Sequence, residues 1–301
     1  MPAMKRRAGK VGAAPFLLFN AARQAMALRI NHNVAALSVQ RALETTTGQL
    51  SRAVTRLSSG LRINYAWDDP AGLSVSEKFR AQIASMVEAE RNANQGINLL
   101  ATAEGALAVM DDKLTRMRAL AVEASNGTLT SLDRSYLDVE FQQLKSEITR
   151  VAQVTNYNGL YLLDGSAATS GINLQVGTYA NSGADYYQVT VGDMTASALG
   201  LGSAALTSTA LAQSALNVVD SAINTKDTER TRIGSYVERL QYTVQNLQVQ
   251  RENAVDSEST IRDADMAEES AAFVRAQILT QSGVAMLAQA NQIPKLALAL
   301  L

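Results

Sequence analysis

Apolar residues recur every seven positions from Phe79 to Ala121, through Met86, Ala93, Leu100, Leu107 and Leu114. Ile83, Ile97, Met110 and Met117 fill the companion positions. A 3.5-residue period keeps one stripe turned toward a partner helix, so this run predicts a long coiled-coil helix. Leu43, Leu50 and Leu57, with Val54 and Leu61, form an earlier seam, and Leu137, Phe141, Leu144, Ile148 and Val151 a shorter third one. Toward the other end, Leu216, Val219, Ile223, Ile233, Val237, Leu240, Val244, Leu247 and Ala254 alternate by threes and fours, interrupted by Lys226, Arg230 and Arg251. They predict one long C-terminal helix. Met266, Phe273, Ile278, Val284 and Leu287 mark a last, Ala-rich helix that should stop before Pro294. Proline occurs only at positions 2, 15, 70 and 294, so no ring interrupts a helix between 71 and 293.

Between about 155 and 210 the pattern changes. Ile172, Leu174 and Val176, then Tyr187, Val189 and Val191, alternate in twos around the turn-rich Ala180 to Asp185, which predicts a β-hairpin. The stretch from there to Ala210 is Ala, Gly, Ser and Thr without bulky periodicity, and reads as a loop or weak surface structure. The expected architecture is mainly α, with long antiparallel coiled-coil helices from both chain ends and a small β-hairpin region at the distal end. A heptad run of roughly 40 residues would extend about 60 Å, a rod whose seams need neighbours.

Composition narrows the function classes. With 47% hydrophobic residues in 301, the chain can bury a substantial core, and 5% aromatics suit aliphatic helix seams. Five of the 27 basic residues and no acid fall in the first 25, which leaves a mildly acidic remainder of 22 basic against 28 acidic residues. No basic stripe is available to neutralise phosphates, so nucleic acid is not an expected partner. No apolar run approaches the roughly 20 residues that span a bilayer, so no membrane partner is expected. Residues 1–25 have a basic start, a short apolar patch from Ala13 to Phe19 and small residues near Ala25. They imitate a secretory signal, or they precede a functional chain that opens at Met26.

Catalysis finds little to work with. There is no cysteine, and the only histidine is His32, so thiolate sites, His-based triads and multi-histidine metal sites are excluded. His32 reads as a polar residue near a helix start. Asp68 and Asp69 precede Pro70 and a helical run, where capping accounts for them; Asp111 and Asp112 fall off the seam, where solvation is the default. Trp67, the sole tryptophan, stands in a non-helical joint and reads as a packed residue. Neither an enzyme nor a cofactor is expected.

Specific words then become readable. Met26-Ala27-Leu28-Arg29-Ile30-Asn31-His32-Asn33, Leu57-Ser58-Ser59-Gly60-Leu61-Arg62-Ile63-Asn64 and Asp68-Asp69-Pro70-Ala71-Gly72-Leu73 resemble the N-terminal region of bacterial flagellins. Arg91 to Ile97, Glu104 to Leu107 and Asn156-Tyr157-Asn158-Gly159 continue the likeness, as do Arg232 to Ser235, Glu252-Asn253 and Ile261 to Ala267. The resemblance covers about 26–165 and 211–301. It implies a structural subunit that polymerises into the flagellar filament for motility; the alternatives are a hook-filament junction protein and a flagellin-like surface receptor or adhesin.

The same likeness divides the chain into an extension (1–25), an N-terminal filament-core helix and joint (26–72), tube-domain helices (73–165), and a short hairpin and variable tip (166–210). A long tube-domain helix (211–261) and a C-terminal filament-core helix (262–301) complete it. Leu43, Leu50, Leu57, Phe273 and Leu287 are the expected filament-core contacts. Phe79, Met86, Leu100, Leu107, Leu114, Ile233, Val237, Leu240, Val244 and Leu247 are the expected tube seam. Implied partners are other copies, an export chaperone, cap and junction proteins, and Toll-like receptor 5 through Arg116, Leu120 and Glu140; the implied location is the extracellular flagellum, reached through the flagellar secretion apparatus. The sequence departs from the family at Trp67, in the apolar tail Ile293 to Leu301, and in the first 25 residues.

Overall fold

The computed structural model describes residues 32–179, 181 and 185–299, so the extension 1–25 and the word opening at Met26 lie largely outside the described residues. The described chain forms two compact units, residues 32–73 with 262–299, and residues 74–261.

In the first unit, α1 (Val34–Ser59) begins at Asn33, whose side chain accepts from the Ala36 amide, and ends at Gly60. Gly60 has φ +72° and returns its own amide to the Arg56 carbonyl, a left-handed cap that glycine adopts without a Cβ penalty. His32 lies just before this cap, as expected. Asp69 accepts from the Gly72 amide at 2.9 Å, and Asp68 accepts from the amides of Asn64 and Tyr65, so both aspartates shape the joint before Pro70. A short antiparallel bridge joins Leu61 to Asp263, after which Met266–Ala299 runs back as the terminal helix, numbered α6 below.

Two expectations fail in this unit. The terminal helix does not stop before Pro294. Proline has no N–H to offer the carbonyl of Ala290, and Asn33 Nδ2 donates to that oxygen at 2.9 Å, so the partner helix supplies what the ring removes. Nor is Trp67 packed into the joint. It is 76% exposed and stacks on Tyr65 with ring centroids 4.4 Å apart.

The second unit is built on α2 (Pro70–Ala124), α3 (Ser131–Val154) and α5 (Thr209–Arg262). Pro70 occupies the first turn of α2, where no intrahelical N–H is required. Thr130 and Asp133 form a reciprocal capping box that starts α3. Between α3 and α5 lie β1 (Asn156–Tyr157), β2 (Leu160–Tyr161), the short α4 (Ser166–Ser170), β3 (Ile172–Gln175) and β4 (Tyr186–Val189). The word Asn158-Gly159 is a tight hairpin turn, with φ +51° and +83° at its two central residues. Strands β3 and β4 pair antiparallel from Ile172↔Val189 to Gln175↔Tyr186, as the alternation predicted.

The hairpin does not sit at the far end of the helices. It lies on their flank: a Cβ at Gly96 would collide with Leu174, Asn92 donates to the Gln175 carbonyl, and Tyr187 and Thr243 share a hydrogen bond at 3.2 Å. The stretch after it is not surface structure either. Val191, Met194, Ala196, Leu199, Leu201 and Leu206 are all buried in the main core. Their spacing follows neither strand nor helix period because turns and one short 3-10 helix, Leu201–Ser203, aim them inward. The Met194 amide donates to the Leu163 carbonyl, the Leu206 amide to Asp138 Oδ1, and Gln142 Nε2 to the Ala204 carbonyl, so the irregular backbone stays satisfied.

Candidate assembly surfaces

In the first unit, α1 and α6 are antiparallel. Asn33 meets Ala290, a Cβ at Gly283 would approach Leu43 Cδ1 to 3.1 Å, and Arg56 pairs with Glu269 at 2.7 Å. The less exposed positions of α1 include Ala36, Val39, Leu43, Thr46, Leu50, Ala53 and Leu57; on α6 they include Phe273, Ala276, Thr280, Gly283, Leu287 and Ala290. Both sets step by threes and fours, so each helix has one stripe to offer a partner. Leu43, Leu50, Leu57, Phe273 and Leu287, expected to face other copies, therefore lie on the stripes by which the chain's own ends pair. The physical reason is spacing: a narrow seam is consumed by the first helix that covers it.

The large apolar side chains left outside include Val34, Leu37 and Val54 on α1, and Val274, Ile278, Leu279, Val284 and Met286 on α6, between 45% and 60% exposed. Sequence reasoning assigned Val54, Ile278 and Val284 to buried seams and passed over the rest. A signal was there: α6 carries only Glu268, Glu269, Arg275 and Lys295 as charges in 34 residues, and a helix apolar on every side cannot be satisfied by one partner.

In the second unit the expected seam is mostly assembled. Met86, Leu100, Leu107, Leu114, Ile233, Leu240 and Leu247 are buried, and Phe79, Val237 and Val244 half-buried. The basic residues that interrupt the α5 pattern are paired across to α2. Asp220 holds Arg118 at 2.6 Å, Lys226 meets Asp111, Arg230 meets Glu104 at 2.6 Å, and Arg251 meets Glu90 at 2.9 Å. As one number falls the other rises, which fixes an antiparallel register. Asp111 is thus an ion-pair partner rather than a merely solvated residue. The Lys226 side chain is 2% exposed; burial pulls its pKa down, and Asp111 and Asp227 outweigh that and hold it above its ordinary value.

Arg116 and Glu140 form a bidentate pair on the surface at 2.7 and 2.9 Å. The hydrogen bond from Arg116 holds the Glu140 carboxyl below its ordinary range. Leu120 does not join them: it is fully buried in the core, because it falls on the same inward face as Met117 and Ala121, so it has no surface to give a receptor.

Comparison with known proteins decides the family. Residues 30–168 match the bacterial flagellin N-terminal helical region and residues 216–301 the C-terminal helical region. A flagellin of Halalkalibacterium halodurans is 44% identical over 273 residues, covering 90% of this chain and 99% of that one. The chain belongs to the flagellin family. The flagellar filament core protein flaB2 of Brachyspira hyodysenteriae is 40% identical over 285 residues, covering 90% of this chain and 99% of its own. A flagellar hook-associated protein from Vibrio parahaemolyticus, 16% identical, shares the fold with a TM-score of 0.54, over 65% of this chain and all of that one. This flagellin is a structural subunit that polymerises into the flagellar filament. No described helix is long and apolar enough to cross a membrane.

Proposed function

We propose that this flagellin enters the filament by covering the outer faces of its paired terminal helices with those of other copies. The observation that carries this reading is the exposed set Val34, Leu37, Val54, Val274, Ile278, Leu279, Val284 and Met286, all in the unit formed by the two chain ends. Each is about half buried already, so completing its cover contributes about 1 kcal/mol, and several per contact over many neighbours drive polymerisation. On this reading 26–72 and 262–301 line the filament core, and 73–165 with 211–261 form the surrounding tube. The subunit leaves the cell through the flagellar secretion apparatus with an export chaperone and is met outside by cap and junction proteins.

Deleting 26–66 or 262–301 should leave a soluble monomer. Electron microscopy after salt-induced assembly tests it, and normal filaments from either truncated protein would overturn the proposal.

We propose further that recognition by Toll-like receptor 5 rests on Arg116 and Glu140 at the surface, with Leu120 acting only by holding the helix beneath them. Monomeric protein carrying R116A and E140A should stimulate receptor-bearing reporter cells less than the wild type; equal stimulation would remove these residues from the contact.

A further inference from the structure

Trp67 takes little part in the packing of its own unit. Exposed and stacked on Tyr65, it lies at a 460 Å³ pocket also lined by Arg52, Arg56, Glu269 and Arg275. Arg56 is committed to Glu269, whereas the guanidinium groups of Arg52 and Arg275 have no ion pair or hydrogen bond among the described residues. An exposed indole flanked by two unpaired guanidinium groups is suited to an apolar patch edged with carboxylates.

The chain displays such a patch on α5. Glu252, Val255 and Asp256 stand at i, i+3 and i+4 and so share a face. Val255 is 44% exposed, and both carboxylates are exposed without an ion pair among the described residues. Like charges four apart destabilise the helix that bears them unless a cation arrives from elsewhere. A helical polymer grows through heterologous contacts, which require two different and complementary patches on every copy.

We infer that Trp67, Arg52 and Arg275 of one copy receive Glu252, Val255 and Asp256 of another. This rests on the assembly reading above and adds a partner surface to it. The contact joins an aromatic platform to an aliphatic side chain and lets two carboxylates meet two guanidinium groups at its rim, where they set register more than strength.

Because Trp67 is the sole tryptophan, its fluorescence reports on this contact without labelling. In wild-type filaments its emission should shift to the blue and acrylamide quenching should fall relative to the monomer; unchanged emission and quenching would overturn the contact. R52E with R275E, or E252K with D256K, should each raise the critical concentration about tenfold through repulsion and lost pairs. Combining all four should restore it to within about threefold. Reversed variants that assemble like the wild type, or a combination no better than either pair, would overturn the proposal. Unaltered helix melting confirms that the variants fold, and the fluorescence arm needs no variant. Wild-type protein that forms no filaments defeats the assembly reading itself; filaments with an unshielded Trp67 defeat only this contact.

Discussion

The two units use the same helical material differently. In residues 74–261, Leu100, Leu107 and Leu114 lose all contact with solvent beneath α3, α5 and the segment after the hairpin. In the terminal unit, Leu43, Leu50, Leu57 and Leu287 stay half-buried, and the buried apolar residues among those described are Ala53, Ile63, Ala276 and Ala290. Several packed elements together close a core, whereas two helices alone leave their outer faces open. The central unit therefore closes its core within one chain, and on the proposed reading the terminal unit is completed by other copies. Monomer stability and assembly should separate along that line.

The largest effect should come from the terminal faces. I278D with V284D places two charges where the proposal seats another copy, and should raise the critical concentration by about a hundredfold or more while monomer melting stays within a few degrees. Sedimentation and calorimetry on one sample check both halves, and a large loss of monomer stability would erase the distinction. Next, Leu107→Ala or Leu114→Ala should cost about 2–5 kcal/mol of unfolding free energy, whereas Leu43→Ala should cost the monomer about 1 kcal/mol. Denaturant titration followed by circular dichroism would measure them; equal costs would show that the terminal pair is already a closed core.

Lys226 offers a sharper cut inside the central unit. Asp111→Ala leaves a buried ammonium with Asp227 alone and should cost about 1–3 kcal/mol, while Lys226→Met, which removes the charge as well, should be close to neutral. The reverse ranking in thermal unfolding would mean that the pair itself stabilises the fold.

The smallest effect is the pH dependence. Asp133, Glu140 and Glu147 are held below their ordinary values, chiefly by hydrogen bonds from Thr130, Arg116 and Arg150 respectively. Their contribution is present above the unfolded values of 3.8 and 4.5 and is lost as pH falls through the lower folded ones. Lys226, raised in the folded state, contributes fully below 10.5 and loses its contribution as pH rises through its folded value. Melting temperature should be flat between about pH 5 and 10 and decline at both ends. A maximum on the acid side would contradict these shifts.

Much of the fold was legible. The heptads of α2 and the threes and fours of α5 located long helices because a helix repeats its facing residues on a fixed period, and the alternation of 172–176 and 187–191 located β3 and β4. What escaped had no period. Val191 to Leu206 are carried inward by turns, and a turn leaves no repeating signature. Lys226 looked like an interruption because a charge on an apolar stripe declares a partner without naming it. Trp67 stood in a joint, and no pattern says which way a joint residue faces.

The sequence by itself determined the helices, the hairpin and, through its words, the family. Only the tertiary structure decided that Leu43, Leu50, Leu57, Phe273 and Leu287 pair the chain with itself, that Leu120 is hidden, and that Ile278, Val284 and Trp67 are left uncovered. Periodicity reports that a stripe will be buried. Which helix buries it depends on the path of the chain in space, a property of contacts far apart in sequence.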